Sequence, residues 1–117
     1  MHNYRELKIW QRGVELATKV YQLSLKFPSD EKFGLTSQIR RAAVSISSNI
    51  AEGSGRTTDK DFANFLAYAY GSLCEVDTQL QIAVNLSFVA KEEIEELENE
   101  IDEVQRMIYS FKRNLKG

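Results

Sequence analysis

The chain has 117 residues, 43% of them hydrophobic and 27% charged, with a formal net charge of −2. That is the size and composition of one soluble globular domain with a real core. No apolar run approaches the ~20 residues that span a bilayer, MHNYRELKIW lacks the hydrophobic core of a signal peptide, and Cys74 is the one cysteine. The expectation is therefore a cytoplasmic protein with no membrane segment and no disulfide.

The charge is unevenly placed. Between Lys91 and Glu103 lie eight acids and one base, which leaves a balance of +5 elsewhere. Such a run is most simply a solvated helix face; the sharper reading is a basic surface on the first two helices that meets an anionic partner.

Helix one is predicted over about 4–27. Asn3 with Glu6 three residues later resembles a capping box, and Pro28 disfavours helical geometry in the residue before it. The segment is apolar on two sides. Leu7, Trp10, Val14, Ala17, Tyr21 and Leu25 form one stripe; Ile9, Leu16, Val20, Leu23 and Phe27 form a roughly opposite one.

Helix two is predicted over about 35–53 and ends at the glycines Gly53 and Gly55. Leu35, Ile39, Ala42, Ala43, Ile46, Ile50 and Gly53 fall on one side, and Ser37, Gln38, Arg41, Ser45, Ser48, Asn49 and Glu52 on the other. So few bulky side chains let neighbouring backbones come close.

Helix three, about 59–86, opens with Asp59 and Asp61 at the positive end of its dipole. Its core stripe is Phe62, Phe65, Leu66, Ala69, Leu73, Val76, Leu80 and Val84. Its back carries a ridge of small residues, Ala63, Ala67, Gly71, Cys74 and Thr78, flanked by Tyr68 and Tyr70. Helix four, about 90–115, repeats Ile94, Leu97, Ile101, Val104, Ile108, Phe111 and Leu115 in an unbroken heptad seam.

The fold class is therefore all-α, a four-helix bundle. Helices apolar on two faces must bury both, yet a bundle offers each helix one inward face. The surplus is expected to form a homo-oligomer interface, with Ile9, Leu16 and Val20 of helix one and Ala63, Ala67, Gly71 and Cys74 of helix three as candidates.

No catalytic, metal or cofactor constellation is legible. His2 is the one histidine and lies in a terminus expected to fray, and one histidine with one cysteine makes no zinc site. Cys74 has no identifiable base beside it and reads as a small packed residue. Gly53-Ser54-Gly55-Arg56 follows a helix, as a C-cap does, rather than opening one as a phosphate loop does. The polar signature Arg40, Arg41, Asn49, Glu52 and Arg56 is expected to pin helix two through partly buried contacts, or else to bind a partner. Most aromatics, including Tyr21 and Phe33, are expected in the core. Lys8, Arg12 and Lys19 are the nucleic-acid candidates.

The segments YRELKIWQRGVELATKVY (4–21), FPSDEKFGL (27–35), QIRRAAVSISSNIAEGSGR (38–56) and FLAYAYGSLCEVDTQLQIA (65–83) together resemble the large-subunit ribosomal RNA intervening-sequence proteins, a four-helix bundle family. The resemblance spans nearly the whole chain and is most specific in RRAAVSI and SNIAEG. It implies an antiparallel up-down bundle that assembles into a ring, typically a pentamer. A related branch, the accessory variability determinants of retroelements, forms basic pentamers that bind a reverse transcriptase and nucleic acid. Ser47 stands where many relatives have proline, and Tyr70 where many have a basic residue. The function expected is a non-enzymatic oligomeric scaffold or adaptor that binds another macromolecule, an unidentified protein. The alternative is a nucleic-acid-binding accessory protein for structured RNA or a ribonucleoprotein, with binding to RNA or DNA weak.

Overall fold

The structure, a computed structural model, describes residues 2–115. These form four α-helices and two 3₁₀ turns, with no strand among the described residues. The helices are α1 (Lys8–Ser24), α2 (Leu35–Ser54), α3 (Asp59–Asn85) and α4 (Lys91–Arg113). Each packs on two others, α2 on α1 and α3, and α4 on α3 and α1. The result is a rod of 45 × 24 × 19 Å.

Local chemistry sets the helix ends. The Leu35 N–H donates to Glu31 Oε1 at 2.9 Å at the start of α2. The Asp61 N–H donates to Thr58 Oγ1 at 3.1 Å at the start of α3. The Ala90 N–H donates to Glu93 Oε1 at 2.8 Å at the start of α4. Each satisfies a donor that has no intrahelical acceptor. Ser87 follows α3 in the left-handed region, φ 62°. There it closes the helix through Phe88 N–H to Ala83 C=O and Ser87 N–H to Val84 C=O, both at 2.9 Å.

The first helix departs from expectation. Asn3 caps a 3₁₀ turn over Tyr4–Glu6, accepting from the Arg5 N–H at 3.2 Å, and Leu7 is extended, so α1 starts only at Lys8. Packing at the terminus holds that break. The His2 N–H donates to Ser54 C=O at 3.1 Å, and the His2 ring lies 5.0 Å from Phe62 and 5.8 Å from Phe111. His2, expected to fray, is thus docked on the end of the bundle.

The core draws on all four helices. From α2 come Ile39, Ala43, Ile46 and Ile50, from α3 Phe62, Leu66, Leu73, Val76 and Leu80, and from α4 Ile94, Leu97, Ile101, Val104 and Ile108, all buried. Each large one contributes about 1.5–3 kcal/mol relative to exposure. Ile9, Leu16 and Val20 of α1 join them at 3%, 1% and 0% exposure. Their assignment to a subunit interface is corrected: side chains this enclosed have no surface left for a second chain. Gly13 sets the rotation of α1. A Cβ there would sit 3.3 Å from Ile46 Cγ2 and 3.4 Å from Ser47 Cβ, so the helix lies against α2 on its 9–13–16–20 side. Of the other stripe, Val14, Tyr21 and Leu25 are exposed while Ala17 is buried and Leu7 and Trp10 pack against the core; Phe33 is exposed as well.

Candidate functional surfaces

Three surfaces gather the residues singled out by sequence. The first is the α1–α4 seam, where the basic candidates lie. Arg12 pairs with Glu103 at 2.8 Å and donates to Met107 Sδ at 3.7 Å. Lys19 is shared between Glu96 at 3.0 Å and Glu100 at 2.8 Å, and Lys26 pairs with Glu93. Part of the acidic run of α4, Glu93, Glu96, Glu100 and Glu103, therefore neutralises Arg12, Lys19 and Lys26. Arg12 and Lys19 are engaged within the chain, which corrects their place in a free basic patch; Lys8 stays exposed at the rim of a 510 Å³ cleft with Leu7, Ile9, Met107 and Phe111. The two carboxylates beside Lys19, Glu100 contributing most and then Glu96, hold its ammonium above its ordinary range. The Ala90 N–H, followed by Lys26, holds the Glu93 carboxyl below its ordinary range.

The second surface is the outer side of α2. Arg40 donates from Nε to Ser24 Oγ at 2.8 Å, and its guanidinium lies 4.8 Å from the Tyr21 ring centre, which ties α2 to α1. Asn49 donates to Ser45 C=O at 2.8 Å. Glu52 and Arg56 form an exposed i,i+4 pair at 2.9 Å, and Arg56 covers the Phe65 ring at 4.6 Å. Glu52 reaches one turn along to Arg56 in solvent and, among the described residues, forms no ion pair with another helix of the chain. Arg41 is exposed beside Gln38, Ser45, Glu75 and Gln79 in a polar groove of 310 Å³ between α2 and α3. Ser45 and Ser72 share a hydrogen bond of 2.5 Å beside it, and Gln79 Oε1 is buried there without a hydrogen-bond partner.

The third is the back of α3. Ala67, Gly71 and Cys74 are exposed and Ala63 is half-buried. Cys74 Sγ accepts from Gln105 Nε2 at 3.3 Å. A Cβ at Gly71 would meet nothing within 4 Å. Tyr70 and Tyr109 flank a 240 Å³ slot with Lys112 at its edge.

None of these surfaces assembles a nucleophile with a base. Among the described residues no group of three or more His, Cys, Asp or Glu could hold a metal ion, and no helix is long and apolar enough to cross a membrane. Sequence reasoning missed Ser24 and Tyr21 as partners of Arg40. It also missed the α4 acids as partners of Arg12 and Lys19. The +5 and acidic blocks signalled that second match.

A four-helix all-α chain whose first and last helices are joined by ion pairs is the class this geometry defines. Within it, the chain belongs to the 23S rRNA-intervening sequence protein family, whose model matches residues 5–110. It is also similar in fold to a solved protein of unknown function from the S23 ribosomal protein family of Bacteroides thetaiotaomicron. That likeness has a TM-score of 0.82 at 23% identity and covers 91% of this chain and 99% of the other. Neither description names a catalytic activity. No curated protein matches the sequence.

Proposed function

We propose that the protein is a non-enzymatic scaffold or adaptor: an antiparallel up-down bundle that assembles with copies of itself into a ring, pentameric as its resemblance implies, in the cytoplasm. The order of the α1–α4 pairs supports the antiparallel arrangement, because positions 12, 19 and 26 meet 103, 100 and 93. One observation carries the assembly. The outer side of α1 and α2 leaves Val14, Tyr21 and Val44 about two-fifths exposed, a row of apolar side chains turned from the core. Covering such a row on a second copy is the simplest way to remove it from water. A different face, the α3 ridge of Ala67, Gly71 and Cys74, lies elsewhere on the same chain. Contact between two unlike faces is the head-to-tail kind, which makes a ring when the rotation between copies closes.

Light scattering at micromolar concentration tests this. A mass several times 13.4 kDa is expected, and Val14→Lys with Tyr21→Lys is expected to reduce it to the monomer. A wild-type protein that stays at 13.4 kDa refutes the assembly. Nucleic-acid binding takes second place, since Arg12 and Lys19 already hold carboxylates. Submicromolar binding of structured RNA that weakens steeply with salt would reverse that ranking.

A further inference from the structure

Two interhelical connections meet at one end of the rod. The Phe27 and Phe88 rings lie 5.7 Å apart, and Lys26 pairs with Glu93. At this end Phe33 is 89% exposed, Leu25 77% and Leu86 56%. Single exposed apolar residues are ordinary on a protein surface, but several large ones at one end mark a contact surface. Lys32 lies over Phe33 at 5.5 Å from its ring centre and still leaves most of the ring in water.

The same end is acidic. Segments 25–36 and 82–96 carry six acids (Asp30, Glu31, Glu92, Glu93, Glu95, Glu96) against three bases. Asp30, Glu92 and Glu95 are exposed and stand outside the ion pairs of the described residues. A partner that covers the apolar tips must bring apolar groups of its own. The negative rim then selects cations around them and repels nucleic acid and anionic lipid alike.

We infer that this end docks a basic amphipathic helix of another protein. The apolar face of that helix lies on Leu25, Phe33 and Leu86, and its Lys or Arg side chains face Asp30, Glu92 and Glu95. The inference rests on the adaptor reading and gives the adaptor its class of partner.

The probe is a labelled Leu/Lys amphipathic helical peptide of about 18 residues, titrated with the full-length protein by fluorescence anisotropy beside its Leu/Glu counterpart. The Leu/Lys peptide is expected to bind with a Kd on the order of micromolar and the Leu/Glu peptide not to bind. Phe33→Ser with Leu86→Ser is expected to weaken binding about tenfold, and so is Glu92→Lys with Glu95→Lys. Glu15→Lys with Glu52→Lys, the same charge change away from this end, leaves it within about twofold. Absence of Leu/Lys binding, equal binding of the Leu/Glu peptide, or equal weakening by the Glu15 and Glu52 pair overturns the inference. So does a fall in scattering mass for the Phe33 and Leu86 variant, which would assign the end to contact between copies. Failure to bind with the assembly intact removes the docking end alone. A monomer that binds the peptide removes the assembly and keeps the docking end.

Discussion

Two glycines one helix apart carry opposite expectations. A Cβ at Gly53 would lie 2.7 Å from Phe65 Cβ and 2.8 Å from Phe62 Cδ1, so α2 ends pressed against the first turn of α3. Gly53→Ala is expected to lower stability by about 1–3 kcal/mol through overpacking. At Gly71 nothing stands within 4 Å, and Gly71→Ala is expected to raise stability by about 0.5–1 kcal/mol, because alanine restricts the unfolded chain and suits a helix. Urea denaturation of the two variants checks the signs; a loss at both positions would sink the packing argument. The arginines divide in the same way. Glu52→Ala removes an exposed pair and is expected to cost about 0.5 kcal/mol or less. Arg40→Ala strips Ser24 and Tyr21 of their partner and is expected to cost more, about 1.5–3 kcal/mol, since the hydrogen bond is charged. Equal midpoints for these two would show that Arg40 does not tie α1 to α2. In the sequence all four residues look alike, glycines or charges in a helical run. What separates them is the neighbouring helix, which no local pattern encodes.

At the scale of the helix, the stripes of α2 and α4 were readable because each has one apolar side. Ile39, Ala43, Ile46 and Ile50 point inward, as do Ile94, Leu97, Ile101, Val104 and Ile108. Helix α1 has two, and periodicity ranks neither. The deciding residue is Gly13, whose missing side chain admits Ile46 and Ser47 of α2. The residues at 9, 13, 16, 17, 20 and 24 would have identified the buried side had small residues been weighed with the large ones. The ion pairs of α1 and α4 were illegible for another reason: their members are up to 91 residues apart. Those pairs give stability a pH window. The Glu93 carboxyl is held below its ordinary range, so the unfolded chain takes up its proton first as pH falls. Its contribution is present above about pH 4.3 and is lost as pH falls through the folded value. The Lys19 ammonium is held above its range, so its contribution is present below about pH 10.4 and is lost as pH rises through the folded value. In a profile of Tm against pH, Glu93→Gln should flatten the acid limb and Lys19→Met the alkaline limb. An unchanged acid limb in Glu93→Gln would remove Glu93 from this linkage.

For the molecule as a whole, the rod sets its closest backbone approaches along α2 and its charge pairs along α4. The contacts of α2 with α3 join residues near in sequence, across the short connection 55–58, as Ser45 and Ser72 do at a separation of 27. The contacts of α4 with α1 join the two ends of the chain, with separations of 67 to 91. Closing a longer loop costs more entropy, and partners near in sequence find each other faster. On a ribosome the difference is sharper still. Arg12, Lys19 and Lys26 are made first, and the glutamates that neutralise them are made last. Until α4 leaves the exit tunnel, the growing chain carries bare cations along α1 and just past its end, beside the polyanion that is making it.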